Sequence, residues 1–114
     1  MLDIFSFFDD IDNYEERKVN NFKSKDLTID TCAVSDGFKP FETAISHKEY
    51  NSGNWIIVEA YSTKRAASIG HNKWIKIMTS DNPPIYLEDC LNAKIANHLN
   101  KLKPKYYKND IQPN

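Results

Sequence analysis

The chain has 114 residues, of which 40% are hydrophobic and 12% aromatic, and its formal net charge is −1. This length fits one domain of ordinary size, and the apolar share is high enough for a real core and argues against wholesale disorder. A net charge near zero does not indicate a nucleic-acid or membrane-surface partner. The charge is uneven, however, since residues 1–57 hold eleven acids and six bases and residues 58–114 hold five acids and nine bases. Such polarity would orient a partner or favour head-to-tail self-association, or it reflects only two differently charged faces that solvate one domain.

The number of cysteines and the length of the apolar segments indicate the cellular compartment. Cys32 and Cys90 are too few for a disulfide framework, and we expect no signal peptide because no cationic leader begins the chain. No apolar run approaches the roughly 20 residues that span a bilayer. The sequence therefore predicts a protein of the cytoplasm.

The N-terminus is apolar, and Leu2, Phe5 and Phe8 recur at the spacing of one helix face. This predicts a short helix over residues 1–11, and Asp9, Asp10 and Asp12 should end it. The apolar cluster either caps an open sheet face or docks on another subunit, which would make a homo-oligomer.

Four segments then carry strand patterns. They are residues 17–23, 27–34, 41–46 and 55–61. Leu27, Ile29, Thr31 and Ala33 alternate with more polar residues and so share one face. Turn residues separate the later segments, at 35–37 and 51–54, which predicts an antiparallel meander.

Two helices are expected after the strands. Ser62 or Thr63 caps the first, over 63–78, where Ala67, Gly70, Trp74 and Ile77 share a face. Leucines and isoleucine recur every three or four residues from Leu87 to Leu102, which predicts a second helix ending at Pro104. The predicted fold is thus α+β: an antiparallel meander of three to four strands, then two helices packed on one sheet face. We expect residues 1–104 to form the single domain and residues 105–114 to form a mobile tail.

Catalytic chemistry has little support in the sequence. The three histidines form no ligand spacing with the cysteines, three glycines leave little material for a phosphate loop, and no nucleophile motif is present. His71 is either held by Trp74 at the edge of a pocket or stacks on the helix surface. Asp30, Glu42 and Glu59, with His71 and Lys64 nearby, would suit a metal-dependent nuclease if the strand register brought them together; otherwise these glutamates point to solvent. We therefore expect no catalytic residues, no metal and no cofactor.

Charged segments leave two further interpretations open. Residues 101–108 combine four lysines with two tyrosines, as in a single-strand-binding segment, but four lysines are few and nucleic acid is not the expected partner. The acids from Asp9 to Glu16 would imitate DNA phosphates, although Arg17 and Lys18 follow at once.

Several motifs resemble a group of short uncharacterised proteins of bacteriophages and prophages. The resemblance covers most of residues 13–78 and is carried by Asn13-Tyr14-Glu15-x-Arg17-Lys18-Val19, Glu42-Thr43-Ala44-Ile45-Ser46-His47, Trp55 to Lys64, and Gly70-His71-x-Lys73-Trp74. The chain departs from the acidic helix typical of that group, having Lys64-Arg65 where glutamates are common. The resemblance brings no established activity, but it implies a small phage accessory protein in the host cytoplasm.

The resulting hypothesis is a non-catalytic protein that binds and inhibits or sequesters a host component of antiphage defence. The partner would be a host protein or a small signalling molecule, with no membrane involved. Aromatic residues dominate interfaces as well as cores, and the predicted binding residues are Phe5, Phe8, Trp55, Tyr61, His71 and Trp74. The alternatives are a small metal-dependent nuclease and a structural or virion component.

Overall fold

The computed structural model describes residues 17–35, 39–90 and 103–109. Within these ranges the chain has an α+β fold with a four-stranded antiparallel sheet, a single α-helix and a two-stranded sheet. The elements are β1 (Lys18–Ser24), β2 (Leu27–Ala33), β3 (Phe41–His47), a 3₁₀ turn (Asn51–Gly53), β4 (Ile56–Tyr61), α1 (Lys64–Met78), β5 (Tyr86–Glu88) and β6 (Lys105–Tyr107).

The larger sheet is a meander in which each strand pairs with the next in the order β1-β2-β3-β4. This confirms the antiparallel meander that the sequence predicts. Gly53 has a φ of +83° in the turn before β4, a conformation that glycine adopts without a steric penalty. The Ser46 hydroxyl donates a 2.6 Å hydrogen bond to the Gly53 carbonyl oxygen, which ties this turn to β3.

The N-cap of helix α1 and part of its buried face agree with the prediction from the sequence. Thr63 is its N-cap, and the Thr63 side chain accepts a 3.1 Å hydrogen bond from the Ala66 backbone N–H. The predicted face is right for Ala67 and Gly70, which are buried. The structure adds His71 and Met78 to that face, while Trp74 and Ile77 are half-buried.

The layer between the sheet and α1 is divided into two halves. One half is apolar and contains Leu27, Ile29, Ile45, Ile56 and Met78, joined by Tyr50 and Leu87. The other half lies toward the start of α1 and is polar. Thr31 pairs with Thr43 across β2 and β3, and both side chains are fully buried. The hydrogen-bonding half of the core is where the candidate site is found.

The second helix is a correction. Tyr86–Glu88, where that helix was expected to begin, forms strand β5 and pairs with β6. Leu87 is buried in the core and Tyr106 packs against the same cluster, so strand pairing and burial override the helical spacing of the leucines. The remainder of the expected helix, residues 91–102, lies outside the described residues.

The sequence also predicts the structure of both ends of the chain. The N-terminal helix predicted for 1–11 lies outside the described residues. Lys105–Tyr107, where a mobile tail was expected to begin, forms strand β6 and pairs with β5. In the described part of the chain, no helix is long and apolar enough to cross a membrane.

Candidate functional site

A continuous row of hydrogen bonds crosses the polar half of the core. His71 Nδ1 lies 2.7 Å from Thr31 Oγ1, which lies 2.6 Å from Thr43 Oγ1. Thr43 Oγ1 lies 3.0 Å from the Tyr61 hydroxyl, which donates to Glu59 Oε1 at 3.2 Å. We call these five residues the polar row. It connects β2, β3 and β4 to the middle of α1.

The Glu59 end of the polar row reaches the surface. Glu59 Oε1 accepts hydrogen bonds from Trp74 Nε1 at 2.8 Å and from Lys73 Nζ at 2.5 Å, in addition to the one from Tyr61. Burial alone would raise the pKa of Glu59, but the bonds from Lys73 and Trp74 and the Lys73 charge outweigh it, and the pKa lies below its ordinary value. Glu59 is therefore an ionised carboxylate.

The charge on Glu59 sets the direction of every hydrogen bond in the polar row. Burial, together with the neighbouring Glu59 charge, raises the pKa of Tyr61 to about 12, so the phenol keeps its proton and donates it to the carboxylate. A hydroxyl has one proton to donate, so Tyr61 must accept from Thr43, and Thr43 must accept from Thr31. Thr31 then accepts from His71, which places the imidazole proton on Nδ1.

His71 is the buried end of the polar row. Its side chain is fully buried, which corrects the expectation that it stacks on the helix surface. Burial lowers the pKa of His71 against the opposing effect of the Asp30 charge, so the ring is neutral. His71 Nε2 is also buried and has no hydrogen-bond partner among the described residues. A buried polar atom left in this state costs about 1–3 kcal/mol.

Gly70 lets the sheet and α1 approach each other at this point. A Cβ atom added to Gly70 would overlap the ring and hydroxyl of Tyr61. Glycine inside a helix costs about 1 kcal/mol relative to alanine. The close packing beside the polar row therefore requires Gly70, although glycine is unfavourable inside a helix.

The structure brings three of the predicted binding residues together. Tyr61, His71 and Trp74 all belong to the polar row or contact it, but Tyr61 and His71 are buried and would support a binding surface instead of touching a partner. Trp55 is 52% exposed and does not join them. Phe5 and Phe8 lie outside the described residues.

The residues proposed for a nuclease do not converge. Glu42 is paired with Ala60, and it is Thr43 that lies opposite Glu59. Asp30 and Glu42 each neighbour a threonine that faces α1, so their side chains point to the opposite face of the sheet from Glu59. Among residues 17–35, 39–90 and 103–109, no three histidine, cysteine or carboxylate side chains are placed to hold a metal ion. Glu59 also corrects the expectation of a solvent-pointing strand glutamate, because three donors converge on it.

The cysteines do not belong to the polar row. Cys32 is in β2, and Cys90 follows β5 instead of lying in a helix; its backbone N–H and Sγ both bond the Ile57 carbonyl oxygen. Burial raises the pKa of both thiols, with nearby carboxylates acting in the same direction. Both cysteines are therefore protonated at neutral pH, and neither has the character of an activated nucleophile.

The exposed side of α1 is basic. The helix contains four basic residues and no acidic one. Spacings of four, three and four place one row of residues along its outer side, with Lys73 beside it; we call this set the basic stripe, and its members are Arg65, Ile69, Asn72, Lys73 and Lys76. Ile69 is 62% exposed at its centre, and the last four members line a shallow groove of about 430 Å³ with Ile77.

A second groove, of about 550 Å³, lies between the β1–β2 turn and the end of α1. Its lining mixes opposite charges, and Lys48 Nζ and Asp26 Oδ2 form a 3.1 Å ion pair there. These charges neutralise each other, so this groove has no clear preference for a ligand of either sign. The basic stripe is the more distinctive surface.

The sequence pointed to His71, Tyr61 and Glu59 but not to the two threonines that join them, although a signal for the threonines was present. Thr31 and Thr43 occupy inward positions of two alternating strands, where a hydroxyl must find a partner. A histidine on the adjoining helix could have been recognised as that partner. The convergence of Trp74 and Lys73 on Glu59 had no such signal, because it depends on how α1 is placed over β4.

Comparison of the chain with protein-family models, with curated proteins and with solved structures found no significant match.

Proposed function

We propose that this protein is a non-catalytic phage accessory protein that binds a host component and inhibits or sequesters it, a component of antiphage defence being the expected target. The phage context comes from the resemblance of the sequence motifs. The observation that carries the binding role is the basic stripe, in which an exposed isoleucine is surrounded by positive charge.

The chemistry of the stripe suits protein recognition. An apolar side chain supplies contact area when it enters a partner's surface, and the surrounding charges orient the partner and raise the association rate. Ile69, Lys73 and Lys76 provide this combination on one side of α1. The groove is open and shallow, which favours a host protein over a small signalling molecule as the partner.

The polar row supports the same role by holding α1 in place. Its hydrogen bonds connect the inner side of the helix to three strands, while Gly70 brings the helix close to Tyr61. A surface held in its bound conformation loses little conformational entropy on binding. A rigid helix with a basic outer side is thus suited to presenting a docking surface.

Affinity capture with the full chain tests this proposal. The immobilised wild-type protein is incubated with a bacterial host lysate, and the proteins it retains are compared with those retained by Ile69→Asp and Lys76→Glu. Ile85→Asp is the matched control, because Ile85 is 57% exposed but lies outside α1. We expect one bacterial protein to be retained by the wild type and by Ile85→Asp and lost with both stripe variants. Retention of no protein and no metabolite by the wild type would contradict the binding role, and equal retention by Ile69→Asp would contradict the use of the stripe.

The nuclease alternative has its own assay. Labelled DNA and RNA are incubated with the protein and Mg²⁺ or Mn²⁺. Turnover abolished by Glu59→Gln would replace the binding proposal with the enzymatic one.

A further inference from the structure

We propose that strand β6 pairs with β6 of a second copy of this chain, so that the two small sheets join into one continuous antiparallel sheet across a twofold axis. The contact surface is the outer edge of β6, which is the edge turned away from β5. This inference does not rest on the proposed function, because it concerns only the purified protein.

The hydrogen bonds of the small sheet occur at every second residue. The Asp89 N–H donates to the Pro104 carbonyl oxygen at 2.8 Å. At the other end, the Lys108 N–H donates to the Ile85 carbonyl oxygen at 2.8 Å. In an antiparallel pair, residues whose backbone groups point to the partner strand alternate with residues whose groups point away from it. Tyr106, midway between these positions, therefore points its backbone groups to β5.

The backbone N–H and C=O groups of Lys105 and Tyr107 consequently point outward from β6. In the described part of the chain the small sheet consists of β5 and β6, and no third strand pairs with β6. Lys105 is exposed and Tyr107 is half-buried. A strand edge with outward donors and acceptors is a template for pairing with another strand.

Strand β1 is an edge strand of the larger sheet, but it is protected against such pairing. Its register shifts between Lys18 and Asn20. The Asn20 side chain also accepts a 2.9 Å hydrogen bond from the Asn21 N–H, and Lys18 and Lys23 are exposed. Irregular register and lysines keep edge strands from pairing. Strand β6 pairs with β5 without a register shift, so its outer edge is regular.

One register gives every outward group of β6 a partner. If Lys105 lies opposite Tyr107 of the second copy, the N–H and C=O of each bond the C=O and N–H of the other, and the axis passes Tyr106. Placing Lys105 opposite itself would set two positive charges directly across from each other, which is unfavourable. Placing Tyr107 opposite itself would require Asn109 to pair with Lys105. The Asn109 N–H already bonds the Glu49 carbonyl oxygen at 2.9 Å.

The side chains on the outer face of the small sheet suit this register. Lys105 Nζ lies 5.1 Å from the centre of the Tyr86 ring, and the centres of the Tyr86 and Tyr107 rings lie 5.3 Å apart. In the dimer each Lys105 would also face the Tyr107 ring of the second copy, which adds a cation–π contact on both sides of the axis. Tyr106 would meet its own counterpart at the axis as an aromatic pair. The edge is thus complementary to itself, which favours a second copy over an unrelated strand.

Sedimentation equilibrium of the full chain at concentrations up to about 1 mM tests the proposal. Short strands make a small interface, so the dimer is expected to be weak. Lys105→Pro removes an outward N–H without removing a bond to β5. Lys105→Ala is the matched control, because it loses the same side chain and keeps that N–H. We expect the wild type to dimerise, Lys105→Ala to dimerise about 5- to 30-fold more weakly through the loss of two exposed cation–π contacts, and Lys105→Pro to stay monomeric.

NMR of the backbone amides identifies the surface that pairs. The amide resonances of Lys105 and Tyr107 should shift as the wild-type concentration rises, and that of Ile69 should not. If Lys105→Pro does not fold, methylation of the Tyr107 backbone nitrogen replaces it. A synthetic segment ligated at Cys90 introduces this change, which keeps every side chain, and the product should also be a monomer.

Three results would overturn the proposal. They are a wild type that is monomeric at about 1 mM, equal dimerisation of Lys105→Pro and Lys105→Ala, and concentration-dependent shifts confined to residues outside β6, which would assign the dimer to another surface. None of these results depends on the capture of a host component. The dimer and the proposed function can therefore fail separately.

Discussion

The ring of Tyr61 occupies the space beside Gly70 in which any other residue would place its Cβ atom. The two residues belong to β4 and α1, and their contact sets how closely the helix approaches the sheet. This approach brings His71 Nδ1 on α1 within hydrogen-bond distance of Thr31 Oγ1 on the sheet.

Gly70→Ala should therefore destabilise the fold by about 1–3 kcal/mol, because overpacking outweighs the gain in helix propensity. Urea denaturation measures the effect. Ala66→Gly, at an exposed position of α1, is the reference for propensity alone and should cost about 1 kcal/mol or less. Stabilisation by Gly70→Ala would show that Tyr61 does not lie against the helix.

Thr31→Val tests the middle of the polar row. Valine has nearly the shape of threonine but cannot accept the proton on His71 Nδ1, so we expect a loss of about 1–3 kcal/mol in the free energy of unfolding. Thr28→Val is the matched control, since Thr28 lies in the same strand on the opposite face of the sheet. Equal effects of the two substitutions would argue against a buried hydrogen bond at Thr31.

Glu59→Gln tests the surface end of the polar row. The amide removes the charge that attracts Lys73 and directs the Tyr61 proton, and we expect a loss of about 1 kcal/mol because the side chain is 34% exposed and solvent screens its charge. The pKa of Tyr61 should fall from about 12, since the Glu59 charge contributes to raising it. Glu88→Gln, an exposed substitution in β5, is the control and should change neither quantity. An unchanged Tyr61 pKa in Glu59→Gln would contradict the contact.

Stability should decrease in mild acid because of His71. Its pKa is lowered in the folded protein from an ordinary value of 6.5, so the unfolded chain takes up the proton first. The contribution of neutral His71 to the free energy of unfolding is complete above pH 6.5. It is lost as pH falls toward the lowered pKa, by at most about 1.4 kcal/mol per pH unit. The free energy of unfolding of the wild type should fall more steeply between pH 6.5 and 5 than that of His71→Gln. Parallel curves for the two proteins would contradict a neutral, buried His71.

Secondary-structure elements that depend on neighbouring residues in the sequence could be predicted from the sequence alone. Alternating residues in β2 and β3, the turn ending at Gly53 and the cap at Thr63 each have a short-range physical cause, and these elements were predicted correctly. The spacing of Leu87 and Leu91 was misleading because β5 depends on its pairing with Lys105–Tyr107, seventeen or more residues away. The site could be predicted only in part for the same reason, since the contacts of Trp74 with Glu59 and of His71 with Thr31 depend on the packing of α1 on the sheet.

The protonation state of His71 tests the account of the polar row most directly. Nitrogen NMR of the imidazole in the wild-type protein at pH 7 distinguishes the two neutral tautomers and the cation. We predict a neutral ring with its proton on Nδ1 and an unprotonated Nε2, as the direction of hydrogen bonding from His71 to Glu59 requires. A proton on Nε2, or a cationic ring, would contradict that direction and with it the claim that the Glu59 charge orders the contacts holding α1 on the sheet.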